Sequence, residues 1–410
     1  MPVLYELTIT LDKPMNNHRI YYTYATLNCG FTDNLQRFDT CYRFGLSLGY
    51  EYVHTPLNSK RSSNRIDKFV GFDDYFVLKI SDLILEDYEI IKIDFYSIFK
   101  KRNIATLQDL QNFVREHVSL NCKFSKKIPL IFFTITKLVR DNLRIQKMLS
   151  QGLKESHLSV GLDYRSIYFQ ARTENPRNSR FVDNKAKMLV HIRQGDIAII
   201  ETPWETYIPL RKLHDKQNKI AEIKDRKKIG NEYRYVDDFY LFIERFFNFC
   251  DRSDFSVIIS SDGYKRAFKK FYKNKHRFKM TGKQLRILKN TENSYDQNKF
   301  AQFSQLDNCL CLIGETDENL FDLIHSSLIA DIIVFGIQQR MIKKLLSFYA
   351  DVDNPPILIM LHRLKKLDGY AFEEMNVKVI PVNLDKMDIE SFVTRVRQEI
   401  KNKTQFHMEE

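Results

Sequence analysis

The sequence predicts an α/β fold built on parallel sheets. Short apolar runs alternate with segments in which apolar residues recur at helical spacing. The run at residues 257–260 is apolar nearly throughout, as expected of a strand covered on both faces, and Ser261, Asp262 and Gly263 follow it directly. Polar groups after buried strands are typical of parallel sheets that bind ligands at the carboxyl ends of their strands.

Two domains are expected for a chain of 410 residues. Residues 171–187 are rich in Asn, Arg, Pro and Ser, as linkers are, so the predicted domains are 1–180 and 181–410. Strands are predicted at 20–27, 50–54, 130–135, 189–193, 257–260, 332–335, 357–361 and 377–382, and helices at about 35–46, 139–153, 235–250, 319–331 and 388–401. Asp33 or Thr32 is the predicted N-cap of the first of these helices.

Two stretches are predicted to be polar excursions from the core, namely residues 211–234 and 273–308. The six cysteines have neither the spacing of a zinc finger nor a CxxC pair, so reduced thiols are expected. No window reaches the apolar length of a membrane span, and the N-terminus lacks the features of a secretory signal. These observations favour a cytoplasmic protein, with association at the inner surface of a membrane left open.

The net charge of +12 and the pI near 9.2 favour anionic partners: nucleic acid, an acidic lipid surface, a nucleotide or an acidic glycan. Lys and Arg are densest at residues 265–283. A solvated basic face is the favoured interpretation of that run, ahead of a nucleic-acid groove.

The most informative motif is Met188-Leu-Val-His-Ile-Arg-Gln-Gly-Asp196, in which a predicted buried strand runs into charged residues. Arg193 is expected beyond the carboxyl end of this strand. A guanidinium fixed there suits a phosphate, because its planar fork can donate two charge-assisted hydrogen bonds. The strand at 257–260 is expected to bring Ser261 and Asp262 to the same edge of the sheet.

These motifs together resemble the GDP-fucose-dependent fucosyltransferase superfamily, which includes bacterial α-1,2- and α-1,6-fucosyltransferases and protein O-fucosyltransferases. Residues 191–196 match its His-x-Arg-x-Gly-Asp motif, and residues 259–262 match its strand that ends in Ser/Thr-Asp. Residues 322–336 match the helix and strand before its third motif, and residues 30–35 are similar to its Gly-rich turn.

The resemblance implies a GT-B architecture: two Rossmann-like domains facing across a cleft, with the donor in the C-terminal domain and the acceptor on the N-terminal side. It implies transfer of fucose from GDP-fucose to a glycan or glycolipid hydroxyl, with inversion and without a metal ion or other cofactor. Arg193 would stabilise the leaving diphosphate. His191 and Asp196 would position the nucleotide and the loop, and Ser261 and Asp262 would hold the guanine or ribose.

This chain departs from the superfamily after the third strand, where relatives carry a Ser-x-Phe-Ser-like segment and this chain has Gly336-Ile-Gln-Gln-Arg340. Gln338 and Arg340 could still reach a phosphate from a helix N-terminus. Inverting transfer also calls for a base that accepts the proton of the acceptor hydroxyl. Asp33 is the first candidate, with Asp73 and Asp74 behind it.

Plainer interpretations stay open beside these. Arg193 and Asp196 could form an ordinary ion pair, and both Asp262 and Asp33 could be helix N-caps. The Asp351-Val-Asp353 sequence matches a metal-binding motif of another glycosyltransferase fold but follows a predicted helix, which disfavours a metal site. The functional alternatives are the same fold with another nucleotide sugar, or a non-catalytic relative that binds glycan or nucleic acid.

Overall fold

The structure, a computed structural model, describes two compact units of the chain. Its first unit comprises the described residues up to 155, and its second unit those from 164 onward. The described residues are 20–24, 31–53, 85–101, 103–122, 127–135, 143–155, 164–174, 176, 178–194, 198–210, 223–224, 236–314, 316–336, 349, 355–363, 379–384, 392–394, 396 and 398–399.

The first unit contains a four-stranded parallel sheet with the strand order β2-β1-β4-β3. Strands and helices alternate along the chain, as parallel pairing requires a crossover between neighbouring strands. The elements are β1 (Tyr21–Tyr24), α1 (Phe31–Ser47), β2 (Glu51–Tyr52), β3 (Tyr88–Asp94), α2 (Phe95–Lys101), α3 (Leu107–Cys122), β4 (Ile128–Thr134) and α4 (Leu143–Glu155).

Aromatic side chains fill the core of the first unit. Tyr22 is fully buried, and its hydroxyl donates a hydrogen bond of 2.7 Å to the carbonyl of Tyr42. Helix α1 approaches this ring closely at Gly45, where a Cβ atom would lie 2.3 Å from the ring. The ring of Phe133 lies 5.7 Å from that of Tyr22 and stacks on Phe95 at 5.6 Å. Glycine is therefore required at position 45 by close packing.

The second unit contains a longer series of alternating elements. They are α5 (Tyr164–Glu174), β5 (Ala186–His191), β6 (Ile199–Glu201), β7 (Tyr207–Pro209), α6 (Val236–Phe247), β8 (Phe255–Ser261), α7 (Lys265–Lys273), α8 (Gly282–Thr291), α9 (Tyr295–Ser304), β9 (Cys309–Ile313), α10 (Asp317–Ile329), β10 (Ile332–Gly336), β11 (Ile357–His362) and β12 (Val379–Asn383). The described residues at 392–394, 396 and 398–399 are helical, in agreement with the predicted C-terminal helix.

Six of these strands form one parallel sheet in the order β12-β11-β10-β5-β8-β9, and β6 and β7 form a separate antiparallel pair. Numbered along the chain, the six strands have the order 3-2-1-4-5-6, which is the order of doubly wound nucleotide-binding sheets. Every residue of β8, β10 and β11 is buried, so both faces of the sheet are covered.

The predicted α/β class with parallel sheets is confirmed, and so are the predicted strands near residues 130, 190, 257, 332, 357 and 380. Strands β3 and β9 were not predicted. The interpretation of residues 273–308 as too polar for the core is wrong, because Leu288, Tyr295, Phe300 and Phe303 are buried in the main core cluster. The predicted linker is also too long at both ends, since α5 reaches Glu174 and β5 begins at Ala186.

Five cysteines lie in the described part of the chain, and all of them are free thiols: Cys41, Cys122, Cys250, Cys309 and Cys311. The helices that the structure describes include none with the length and apolar character needed to cross a membrane.

Candidate functional site

Arg193 lies two residues beyond β5, at the carboxyl edge of the six-stranded sheet. In this strand order the direction of the connections reverses between β5 and β10, which are direct neighbours. Ligands of doubly wound sheets bind in the crevice outside the strand ends at this point. The backbone just after β5 is held in place, because the N–H of Ile192 donates a hydrogen bond of 2.8 Å to the carbonyl of Ser260. Arg193 is partly exposed there.

Asp262 ties the Arg193 segment to the end of the neighbouring strand β8. Its carboxylate accepts a hydrogen bond from the backbone N–H of Gln194, with an N···O distance of 2.5 Å. Gln194 is 1% exposed, so this charge-assisted bond is shielded from solvent. The interpretation of Asp262 as a helix N-cap is wrong, since Tyr264 holds that position in α7. Asp262 can instead position the backbone that follows Arg193.

The structure brings four of the predicted site residues together on adjacent strand ends. His191 ends β5 and is paired in register with Ser260, one residue before Ser261. His191 and Ser261 are both buried, and the Ser261 hydroxyl accepts a hydrogen bond of 3.1 Å from the backbone N–H of Gly263. Arg193 and Asp262 complete the group. The binding roles assigned to these side chains stay predictions.

For the other predicted site residues, the structure describes at most the position of the backbone. Asp33 lies in the first turn of α1, in the first unit, and its side chain is not among those that the structure describes. Helix α1 begins at Phe31, so Thr32 and Asp33 lie inside its first turn. The prediction that one of them is its N-cap is therefore wrong. Asp196, Gln338 and Arg340 lie outside the described residues, as do Asp73, Asp74, Asp351 and Asp353.

The turn after Asp262 depends on a glycine and a partly buried carboxylate. Gly263 has φ of +65°, and a Cβ at this position would lie 2.7 Å from Oδ2 of Asp296. Oδ1 of Asp296 accepts a hydrogen bond of 2.8 Å from the backbone N–H of Tyr264, the N-cap residue of the following helix. Burial raises the pKa of Asp296 above its usual range. Helix α9, which carries Asp296, thus fixes the course of the chain next to Asp262.

A small polar pocket lies beside this turn and was missed by the sequence analysis. Glu201 and Lys299 form an ion pair in it, and the backbone N–H of Glu201 donates to the hydroxyl of Tyr295 over 2.8 Å. Burial raises the pKa of Tyr295 and of Tyr264, so both are neutral phenols at ordinary pH. Asp237, in the first turn of α6, also lines the pocket. The residues that line this pocket come from segments far apart in the sequence, and no motif spacing relates them. The pocket could therefore be found only from the fold.

A second arginine, Arg363, follows a buried strand end of the same sheet. It comes directly after β11, and its guanidinium donates two hydrogen bonds to the carboxylate of Asp238, at 2.7 and 3.2 Å. The Asp238 side chain is 8% exposed and the Arg363 side chain 31% exposed. The sequence pattern is the one that identified Arg193, a cation after an apolar strand, and could have found this residue. Asp238 holds the cation in one orientation at the carboxyl edge.

The described residues include no group of three or more His, Cys, Asp or Glu side chains arranged to hold a metal ion. No protein-family model matches this chain, and no curated protein is significantly similar to it. What the site binds must therefore be inferred from its own residues. Their common feature is an arginine at the carboxyl edge of a parallel sheet: Asp262 fixes the backbone next to Arg193, and Asp238 holds the guanidinium of Arg363.

Proposed function

We propose that this chain is a glycosyltransferase that binds a nucleotide sugar at the carboxyl edge of the six-stranded sheet. The observation that carries the proposal is Arg193, which follows β5 at the switch point of a 3-2-1-4-5-6 sheet beside a backbone segment fixed by Asp262. That crevice is where such sheets bind nucleotides. A guanidinium there suits a diphosphate, whose oxygens accept its parallel hydrogen bonds.

The proposed reaction is an inverting displacement. The acceptor hydroxyl oxygen attacks the anomeric carbon of the sugar, and the bond from that carbon to the diphosphate breaks. The electron pair of the broken bond goes to the diphosphate, whose developing charge Arg193 stabilises in place of a metal ion. The proton of the hydroxyl goes to a base, for which Asp33 is proposed. Asp262 acts through the backbone of Gln194 and so positions Arg193.

The donor proposed is GDP-fucose, and the acceptor is a glycan or glycolipid hydroxyl. Both come from the resemblance of residues 191–196 and 259–262 to the fucosyltransferase superfamily, as does the proposal that the two units form a GT-B enzyme. His191, Ser261 and Asp196 would complete the nucleotide site. The changed third motif makes Gln338 and Arg340 the proposed phosphate ligands in place of the serines of relatives.

Nucleotide binding and turnover test the proposal separately. We expect GDP to raise the unfolding temperature more than UDP or CDP, since a ligand at a hundredfold excess over its Kd stabilises the folded state by about 2.7 kcal/mol. We expect GDP-fucose turnover, measured as GDP release with a glycan acceptor, to fall by about a hundredfold to a thousandfold in Arg193→Ala. Arg193→Lys is the matched control, which keeps the charge but loses the planar fork and should recover part of the rate.

Two results would contradict the proposal in different ways. Stabilisation by all three nucleotides to the same extent, or by none, would reject GDP as the nucleotide. Selective binding of GDP without turnover on any acceptor would reject the enzyme and favour a non-catalytic relative that retains the nucleotide site.

A further inference from the structure

The net positive charge of this chain is concentrated in one stretch, residues 263–291, which we name the basic segment. It contains eight lysines and three arginines and no Asp or Glu. It therefore accounts for eleven of the twelve net positive charges, and the remainder of the chain is close to neutral. Asp262 and Glu292 are the carboxylates that border it in sequence. All of its residues belong to the described part of the second unit.

Helix α7 separates charged and apolar residues onto opposite faces. Lys265, Lys269 and Lys273 are exposed and recur every four residues, which places them on one side of the helix. Phe268 and Phe271 are fully buried on the other side. The apolar face is thus already used in the core, and the outer face presents ammonium groups to solvent.

Helix α8 also carries exposed basic residues. Lys283, Arg286 and Lys289 are exposed at intervals of three residues and share one face. The ammonium of Lys289 lies over the ring of Tyr272, 5.1 Å from its centroid, and so connects the end of α8 to α7. The start of α8 is fixed by a capping box between Thr281 and Gln284. The Lys289 ammonium also pairs with Glu292 over 2.5 Å, so Lys283 and Arg286 are the cations of α8 that add to those of α7. Both helices therefore present basic residues to solvent on an ordered scaffold.

We propose that the basic segment docks the protein on the surface of an anionic lipid bilayer. Clusters of Lys and Arg on an amphipathic helix bind acidic headgroups through summed point charges. Lysine predominates here, whereas recognition of individual phosphates favours the bidentate fork of arginine. A single-stranded nucleic acid would also need exposed aromatic rings for its bases. Of the five aromatic residues of the segment, four are buried and Tyr272 lies under Lys289.

The docking depends on charge alone and not on the proposed transfer reaction. The purpose that we assign to the docking does rest on the proposed transferase function. Because α7 begins three residues beyond Asp262, a docked basic segment would hold the carboxyl edge of the second unit close to the lipid headgroups. An acceptor carried by a lipid would then be delivered at the surface where the enzyme resides. This favours a glycolipid over a free glycan as the acceptor class.

Vesicle co-sedimentation of the full-length chain tests the docking. We expect binding to vesicles of phosphatidylcholine mixed with phosphatidylglycerol, little binding to phosphatidylcholine alone, and a steep loss of binding as salt screens the charges. Lys265→Glu/Lys269→Glu/Lys273→Glu should weaken partitioning by about a hundredfold, since each basic residue near the surface contributes about 1 kcal/mol. Lys92→Glu/Lys147→Glu/Lys224→Glu changes the net charge equally at exposed positions elsewhere and should weaken it far less.

Circular dichroism and thermal unfolding establish that both triple variants are folded, and the salt titration of the unmodified chain needs no variant. Equal loss of binding in the two triple variants would overturn the proposal, as would equal binding to the two vesicle types. Tighter binding to a DNA or RNA duplex at the same phosphate concentration and salt would overturn it in favour of nucleic acid. Stabilisation by GDP should be the same in the triple variant of α7 as in the unmodified chain, so failure of docking and failure of the proposed function are distinguishable.

Discussion

The carboxyl edge around Arg193 and the basic segment beside it use positive charge in opposite ways. At the edge the cations are few, and nearby carboxylates fix their surroundings: Asp262 holds the backbone next to Arg193, and Asp238 holds the guanidinium of Arg363. The basic segment carries eleven cations and no carboxylate, and the side chains of Lys265, Lys269 and Lys273 extend into solvent.

This difference separates recognition of shape from recognition of charge. A guanidinium in fixed surroundings can match the oxygens of one ligand, because its hydrogen-bond directions are set before the ligand arrives. Solvated lysines have no such directions, and their combined field attracts any polyanionic surface, with a strength that depends on salt. The edge is therefore expected to be selective, and the segment to be permissive but sensitive to ionic strength.

The largest effect is expected from the buried face of the helix that presents the lysines. Phe271→Ala removes a fully buried ring whose centroid lies 5.1 Å from that of the Phe278 ring and 5.2 Å from that of the Tyr272 ring. The free energy of unfolding should fall by about 3–5 kcal/mol, as for other buried phenylalanines. Lys269→Ala, on the exposed face of the same helix, should change it by less than about 0.5 kcal/mol. Denaturant unfolding measures both, and similar losses in the two variants would mean that the faces of α7 are not distinct.

A smaller loss of stability is expected where the edge meets the segment. Gly263→Ala adds a Cβ at φ +65°, 2.7 Å from the carboxylate of Asp296, and should lower the free energy of unfolding by about 1–3 kcal/mol. Gly282→Ala is the matched control, because no atom lies within 4 Å of its Cβ and it begins α8. It should leave stability unchanged or raise it by up to about 1 kcal/mol. Equal losses in the two variants would argue against a strained turn at Gly263.

Much of the second sheet could be predicted from sequence, because its strands are buried on both faces and appear as uninterrupted apolar runs. The runs at β5, β8, β10 and β11 have this character. Strand β3 alternates exposed and buried residues at a sheet edge and so forms no such run. Strand β9 is a short apolar run, Cys309–Ile313, at the edge of the second sheet, and it was overlooked directly after the stretch judged too polar for the core. Helices α8 and α9 were misjudged because a few buried residues among polar ones are enough to anchor a helix: Leu288 in α8, and Tyr295, Phe300 and Phe303 in α9.

The candidate site was predictable only where its residues follow strand ends in the sequence. Arg193 and Asp262 have that position, and the parallel pairing of β5 and β8 brings them to one edge. The hydrogen bond from Gln194 to Asp262 could not be predicted, because it joins a backbone N–H to a side chain 68 residues away. The same limit applies to Asp238 and Arg363, whose contact depends on how α6 packs beside β11.

The smallest expected effect tests whether fixed geometry, and not charge alone, makes the edge selective. Asp262→Ala removes the acceptor for the backbone N–H of Gln194, which leaves that buried group without this partner and the Arg193 segment less constrained. We expect GDP to bind about tenfold more weakly, equivalent to ~1.4 kcal/mol, by calorimetric titration. Asp262→Asn keeps an oxygen acceptor without the charge and should retain most of the affinity. If Asn weakened binding as much as Ala, the carboxylate would act by contacting the ligand directly, and the guanine or ribose role first predicted for Asp262 would replace the positioning role.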